Sequence, residues 1–100
     1  MPAKIVTLHE GAAADYDAAF EWYAERSPDA ARRFDVTVER AIKEIARYPK
    51  RWPLGSYGTR RCLLRGFPYL LIYRELGAEV IQILAVAHTS RRPGYWRRRI

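Results

Sequence analysis

The sequence predicts an α+β fold with the element order β-α-α-β-β-β, in which a helical hairpin packs on one face of a small, mainly antiparallel twisted sheet. The first half carries two adjacent segments with helical periodicity, and the second half carries three short apolar runs of strand character. The length of 100 residues suits a single domain spanning residues 1–100. One helical layer covers only one face, so we expect the second sheet face to be available.

A strand candidate at 4–8 precedes the first helix, which is predicted over residues 12–26. Its apolar side chains follow the 3, 4, 3 spacing of one buried stripe, formed by Ala13, Tyr16, Phe20 and Tyr23. Asp15 and the other acidic residues lie largely off that stripe, and so does Trp22.

The second helix begins after Ser27, a residue type favoured as an N-cap. Pro28 suits the first helical position, and Asp29 favours the positive end of the helix dipole. The helix should end near Tyr48, because Pro49 restricts the residue before it. A tight turn at Ser27 makes the two helices an antiparallel hairpin.

Three strands are predicted after a loop at 48–58 that is rich in proline and glycine. They cover residues 60–65, 69–75 and 80–87. The last strand is apolar on both faces, which indicates a central position in the sheet.

The positive charge lies entirely in the second half of the chain. Residues 1–50 carry eight Lys or Arg and nine Asp or Glu, whereas residues 51–100 carry ten Arg and two Glu. Arginine binds phosphate and carboxylate groups in bidentate fashion, so this half favours a polyanionic or acidic partner. A genome that uses arginine in place of lysine explains the number of arginines, but explains their distribution less well.

Several classes of protein and site are disfavoured. Cys62 is the only cysteine, so no internal disulfide can form, and its place in an apolar strand predicts a packed, inert thiol. Residues 1–8 lack the apolar run of a signal peptide, and the run at 80–87 is too short to cross a bilayer. One cysteine and two separated histidines make no ordinary zinc site. We expect a cytoplasmic protein without metal, cofactor or membrane partner.

Four segments together resemble the RelE/ParE superfamily of bacterial toxins from type II toxin–antitoxin modules. They are AxxDYxxAFxWY at 12–23, AIxxIxxYP at 41–49, RGFPYLLIY at 65–73 and ILAVAHxSRRPGYW at 83–96. The resemblance implies a growth-arresting toxin of the plasmid-stabilisation type that a ParD-like or similar antitoxin neutralises in a hetero-oligomeric complex. RelE-like members cut messenger RNA on the ribosome, whereas ParE-like members are associated with inhibition of DNA gyrase.

Metal-free RNA cleavage requires a general base, a general acid and cations around the phosphate. The candidates for these roles are His88, Arg65, Arg91 and Tyr95. Both His88, as a cap on a strand end, and Tyr95, as a ring packed on the sheet, also have a structural interpretation. No carboxylate is well placed as a base, so the set favours the ParE-like branch and gyrase, with the ribosome and mRNA as the alternative target.

Two surfaces are expected from the resemblance. The target would face a basic surface on the exposed sheet face and the C-terminal tail (88–100), consisting of Arg60, Arg61, Arg65, Arg74, Arg91, Arg92, Arg97, Arg98 and Arg99. Residues 93–96 are predicted to anchor this tail by aromatic packing and residues 97–99 to remain free for a partner. The antitoxin would bind Trp22, Arg26, Arg32 and Arg33. Alternatively, Trp22 belongs to the core and these arginines form an ordinary solvated face.

Overall fold

The computed structural model describes residues 2–100 and confirms the predicted order of elements. Two helices lie against a four-stranded sheet, and 3-10 turns occur at Ser56–Gly58 and Arg97–Arg99. The helices and strands are β1 (Ile5–Leu8), α1 (Glu10–Arg26), α2 (Pro28–Arg47), β2 (Arg60–Leu63), β3 (Tyr69–Leu76) and β4 (Val80–His88).

The sheet has the strand order β1-β4-β3-β2, so β4 is central, as its apolar character predicts. Strand β1 pairs parallel with β4, and the other neighbours are antiparallel. The β1 register ends where Leu8 meets Ile83, whereas β4 continues to His88. The end of β4 therefore extends past its neighbour and leaves a stretch of strand edge to be satisfied by other groups.

A β-bulge marks the same part of β4. Ile72 pairs with Ala85 and Tyr73 pairs with Ile83, so Leu84 is an extra residue on β4. A bulge increases local twist and changes which backbone groups point to each side of a strand. Here it accompanies the passage of β4 beyond the end of β1.

Ser27 makes the tight turn between the helices. Its N–H donates to the Tyr23 carbonyl over 2.7 Å at the end of α1, and its hydroxyl accepts from the Ala30 N–H over 3.2 Å at the start of α2. One residue thus satisfies orphan groups of both helices, as the sequence predicts. Neither helix in residues 2–100 is long and apolar enough to cross a membrane.

The buried face of α1 differs from the predicted stripe. Ala12 and Ala19 are the fully buried positions, whereas Tyr16 and Tyr23 are only partly buried. Alanine lets the helix backbone approach the sheet closely, and both tyrosine rings pack at the flank against Phe34 of α2. The rotated stripe brings Asp15, one turn from each alanine, toward the sheet.

The second face of the sheet is not left open, which corrects the sequence-based expectation. The Trp96 side chain is only 2% exposed and packs in a small second core with Ile72, Leu84 and Ala87. The chain reverses direction at Gly94, whose φ of 77° favours glycine. Part of the C-terminal tail is therefore a layer of the fold.

Candidate functional site around the C-terminal tail

The carboxylate of Asp15 on α1 holds the end of the C-terminal tail. Arg99 donates from Nη1 to Oδ2 over 2.7 Å and from Nη2 to Oδ1 over 3.3 Å. The Tyr95 hydroxyl donates to the same Oδ2 over 2.9 Å. The Asp15 and Arg99 side chains are 12% and 19% exposed, so this is a largely desolvated, bidentate ion pair. We call these three residues the tail clasp.

The tail clasp also completes the free edge of β4. The last backbone bond from the β1 side runs from the His9 N–H to the Ile83 carbonyl. Beyond it, the Val86 N–H donates to Asp15 over 3.1 Å, and Arg99 donates to the Leu84 carbonyl over 2.9 Å. Two side chains thus satisfy strand groups that β1 is too short to reach, and these bonds help offset the cost of desolvating the ion pair.

Arg99 needs space beside the first turn of α1. A Cβ atom at Gly11 would collide with the guanidinium end of Arg99, at distances that real Cβ atoms do not show. The Arg99 guanidinium is fixed by Asp15, so it cannot simply swing away. Gly11 is therefore required by a close approach rather than by its backbone angles.

The tail clasp fixes the protonation of its own members. Burial, together with the charge and hydrogen bond of Asp15, raises the pKa of Tyr95 to about 12. The hydrogen bond to Asp15 likewise raises the pKa of Arg99. At neutral pH the phenol is protonated and its proton is directed at Asp15, so Tyr95 does not present a free acid to an incoming RNA.

His88 ends strand β4 at the rim of a cleft. Its Nδ1 accepts from the Ser90 N–H over 3.0 Å and lies 2.7 Å from the Ser90 hydroxyl, and its ring meets Tyr69 edge-on at 5.0 Å. The cleft has a volume of about 410 Å³, and Trp22 and Arg91 line it as well. These contacts accord with the strand-capping interpretation of His88.

The ribonuclease candidates are only partly brought together. His88, Arg91 and Tyr95 line one small cavity of about 90 Å³, and the Arg91 guanidinium stacks on the Tyr95 ring at 3.9 Å. Arg65 lies elsewhere, in a groove beside α2. The nearby carboxylate, Asp15, is fully engaged by the tail clasp.

The basic surface is smaller than the sequence predicts, because three of its nine arginines are engaged. Arg60 is 13% exposed and donates to the Trp52 carbonyl over 2.6 Å. Arg74 donates to the Gln82 amide oxygen over 3.0 Å, and Arg99 belongs to the tail clasp instead of being free. Six arginines remain exposed: Arg61, Arg65, Arg91, Arg92, Arg97 and Arg98.

Tyr57 is a surface residue that sequence reasoning did not identify. Its ring meets Trp96 edge-on at 6.2 Å, and the Arg97 guanidinium lies 5.2 Å from it. It has a φ of 60°, which is unusual for a residue other than glycine, and it is 58% exposed. The loop that carries it reads only as turn-rich, so its contact with the tail had no local signal.

The four residues expected to bind an antitoxin lie in two places. Trp22 is 49% exposed and carries the Arg26 guanidinium over its ring at 3.7 Å, so it does not belong to the core. Arg32 pairs with Asp29 over 3.1 Å and lines a different groove together with Arg33. The set is thus divided between two clefts.

Neither a metal centre nor a reactive thiol is formed by the described part of the chain. Residues 2–100 contain no group of three or more His, Cys, Asp or Glu side chains arranged to hold a metal ion. Cys62 is buried, and burial raises the pKa of its thiol to about 11, so it stays protonated at neutral pH.

Comparison with known proteins decides the family. Residues 6–93 match the family described as the ParE toxin of the type II toxin-antitoxin system, parDE. The chain belongs to the ParE toxin family. The match includes Asp15, whereas Tyr95 and Arg99 lie beyond the matched range.

Curated relatives and a solved structure agree with the ParE assignment. Toxin ParE2 of Mycobacterium tuberculosis, from strains CDC 1551 / Oshkosh and ATCC 25618 / H37Rv, is 35% identical over 88 residues, which cover 86% of this chain and 82% of the relative. A structure described as the chromosomal ParDE TA system from P. aeruginosa contains a chain with the same fold. It matches with a TM-score of 0.73 at 22% identity, covering 86% of this chain and 96% of the other.

Proposed function

We propose that this ParE-family toxin arrests growth in the cytoplasm by inhibiting DNA gyrase, and that a cognate ParD-like antitoxin neutralises it in a toxin–antitoxin complex that stabilises the replicon encoding it. The observation that carries the proposal is the family match over residues 6–93. The likeness of the fold to a chain of the ParDE system supports it.

The side chains near the tail support inhibition by docking more than RNA cleavage. The Tyr95 hydroxyl and the Asp15 carboxylate are committed to each other and to Arg99. The exposed arginines of the basic surface suit an approach to gyrase bound to DNA, since phosphate contacts dominate such association. Binding of this kind should weaken as salt concentration rises.

A ribosome-dependent mRNA endoribonuclease is the second candidate function. It is favoured by one observation, the shared cavity of His88, Arg91 and Tyr95. In this reaction His88 would take the 2′-hydroxyl proton, and Arg91 would stabilise the phosphate.

Controlled expression in a bacterium that lacks the module tests the proposal. Growth should stop when the chain is expressed alone and resume when the neighbouring antitoxin gene is co-expressed. Plasmid DNA isolated during the arrest should be relaxed compared with plasmid from cells that carry a frameshifted copy. Harmless accumulation of the folded protein would overturn the toxin assignment, whereas arrest with normal plasmid supercoiling and loss of mRNA would favour the endoribonuclease.

A further inference from the structure

A long groove separates helix α2 from strand β2. It consists of two adjoining parts, of about 640 Å³ and 580 Å³, that share Thr37, Arg40 and Arg65. We call it the α2–β2 groove. It lies apart from the cleft of Trp22 and His88, and no residue lines both.

The α2–β2 groove carries uncompensated positive charge. Two of its five arginines are paired, Arg32 with Asp29 and Arg51 with Glu44. The other three form no ion pair with any side chain in residues 2–100, and all three are exposed: Arg33, Arg40 and Arg65. Asp29 and Glu44 are the only acidic residues that line the groove, so its net charge is positive.

Apolar side chains line the groove between these charges. Val36 is 39% exposed on α2, and Leu63 is 62% exposed at the rim. Phe67 and Trp52 contribute partly buried rings at the two ends. A partner that fills the groove therefore buries apolar surface as well as meeting arginines.

One wall of the groove is an open strand edge. Strand β2 is the outermost strand and pairs only with β3. Leu64 donates to the Tyr69 carbonyl and Cys62 lies opposite Leu71, so in the antiparallel pattern the backbone groups of Arg61 and Leu63 point away from the sheet. An edge of this kind accepts an additional strand.

We propose that the α2–β2 groove receives an extended acidic segment of the antitoxin. The segment pairs with the backbone of Arg61 and Leu63, places carboxylates against Arg33, Arg40 and Arg65, and sets apolar side chains on Val36. This inference rests on the proposed function, because it presumes that an antitoxin exists. A nucleic acid would satisfy the arginines but would leave the strand edge and the apolar lining unused, so the geometry favours a peptide.

A pair of charge-reversal variants tests the groove. Arg33→Glu/Arg40→Glu reverses two of its unpaired charges, and Lys43→Glu/Arg47→Glu makes the same charge change on exposed positions of α2 that do not line the groove. Affinity for the purified cognate antitoxin is measured by calorimetry, and melting temperatures confirm that both variants are folded. The groove variant should bind roughly 100-fold more weakly, and the matched control should bind within a few-fold of wild type.

Hydrogen exchange supplies an independent readout of strand addition. The amides of Arg61 and Leu63 should exchange quickly in the free toxin and become protected in the wild-type complex. Wild-type affinity in the groove variant, or unprotected amides in the complex, would overturn the groove proposal alone. Loss of DNA binding in the groove variant with unchanged antitoxin binding would assign the groove to nucleic acid and also overturn it. A wild-type chain that neither arrests growth nor binds the neighbouring gene product would overturn the proposed function itself.

Discussion

Arg99 donates two hydrogen bonds to the carboxylate of Asp15, a residue 84 positions earlier in the chain. This relationship ties the end of the basic tail to helix α1 and closes the edge of β4 where β1 stops. The tail is therefore part of the folded structure up to Arg99. The arginines available to a target are carried on an anchored segment, which restricts the orientations they can take.

Breaking the ion pair should destabilise the protein strongly. Asp15→Ala or Arg99→Ala leaves a largely buried partner uncompensated, and each change should lower the free energy of unfolding by about 3–5 kcal/mol. The double variant should lose much less than the sum of the two, because it removes both charges. Urea unfolding measures the cycle, with the exposed Arg98→Ala as a control. Additive losses would show that the pair is not coupled.

Gly11→Ala should destabilise the protein although alanine is the better helix former. A methyl group at this position collides with the Arg99 guanidinium, and this cost should exceed the helix-propensity gain of about 1 kcal/mol. In the Arg99→Ala background the collision is gone, so the same substitution should become neutral or stabilising. Thermal unfolding of the four proteins checks this reversal of sign; the same sign in both backgrounds would refute the close approach.

Stability should fall as pH rises through the alkaline range. The folded state raises the pKa of Tyr95 to about 12 from its ordinary value near 10. Between these values the folded chain retains a proton that the unfolded chain has lost, so unfolding becomes more favourable as pH increases.

Tyr95→Phe isolates this contribution to the pH dependence. Its free energy of unfolding should fall less steeply between pH 10 and 12, by at most about 1.4 kcal/mol per pH unit for one proton. Between pH 7 and 9 the variant and the wild type should show the same slope, which serves as the internal control. Equal slopes at high pH would place the Tyr95 hydroxyl outside the tail clasp.

His88→Ala should leave growth arrest largely intact. His88 Nδ1 accepts from Ser90 and its ring contacts Tyr69, so the change should cost some stability without removing a group needed for docking to gyrase. Growth curves and melting temperatures are compared with those of Ser90→Ala, which removes the hydroxyl beside the same ring nitrogen. Complete loss of arrest in His88→Ala at an unchanged melting temperature would instead support catalysis.

Local patterns predicted the elements that depend on neighbouring residues. The serine–proline–aspartate run placed the turn between the helices, and the two-sided apolar run placed β4 in the centre. These signals act over a few residues, through capping, ring geometry and side-chain alternation, so they are legible without the tertiary structure.

The tail clasp could not be predicted because its meaning depends on distant partners. Asp15 reads as one of several acidic residues on an amphipathic helix, and only the approach of Arg99 and the early end of β1 give it a role. The aromatic residues of α1 were assigned to the buried stripe because of their size, whereas small alanines occupy it. The covering of the second sheet face by Trp96 likewise depends on the path of the chain after Gly94.

The supercoiling reaction of purified DNA gyrase tests the central claim most directly. The purified chain should inhibit supercoiling of a relaxed plasmid, and the cognate antitoxin should restore it. Inhibition should be weaker at high salt, in keeping with docking by exposed arginines. Unchanged supercoiling at toxin concentrations that cut ribosome-bound mRNA would contradict the account and assign the chain to the endoribonuclease branch.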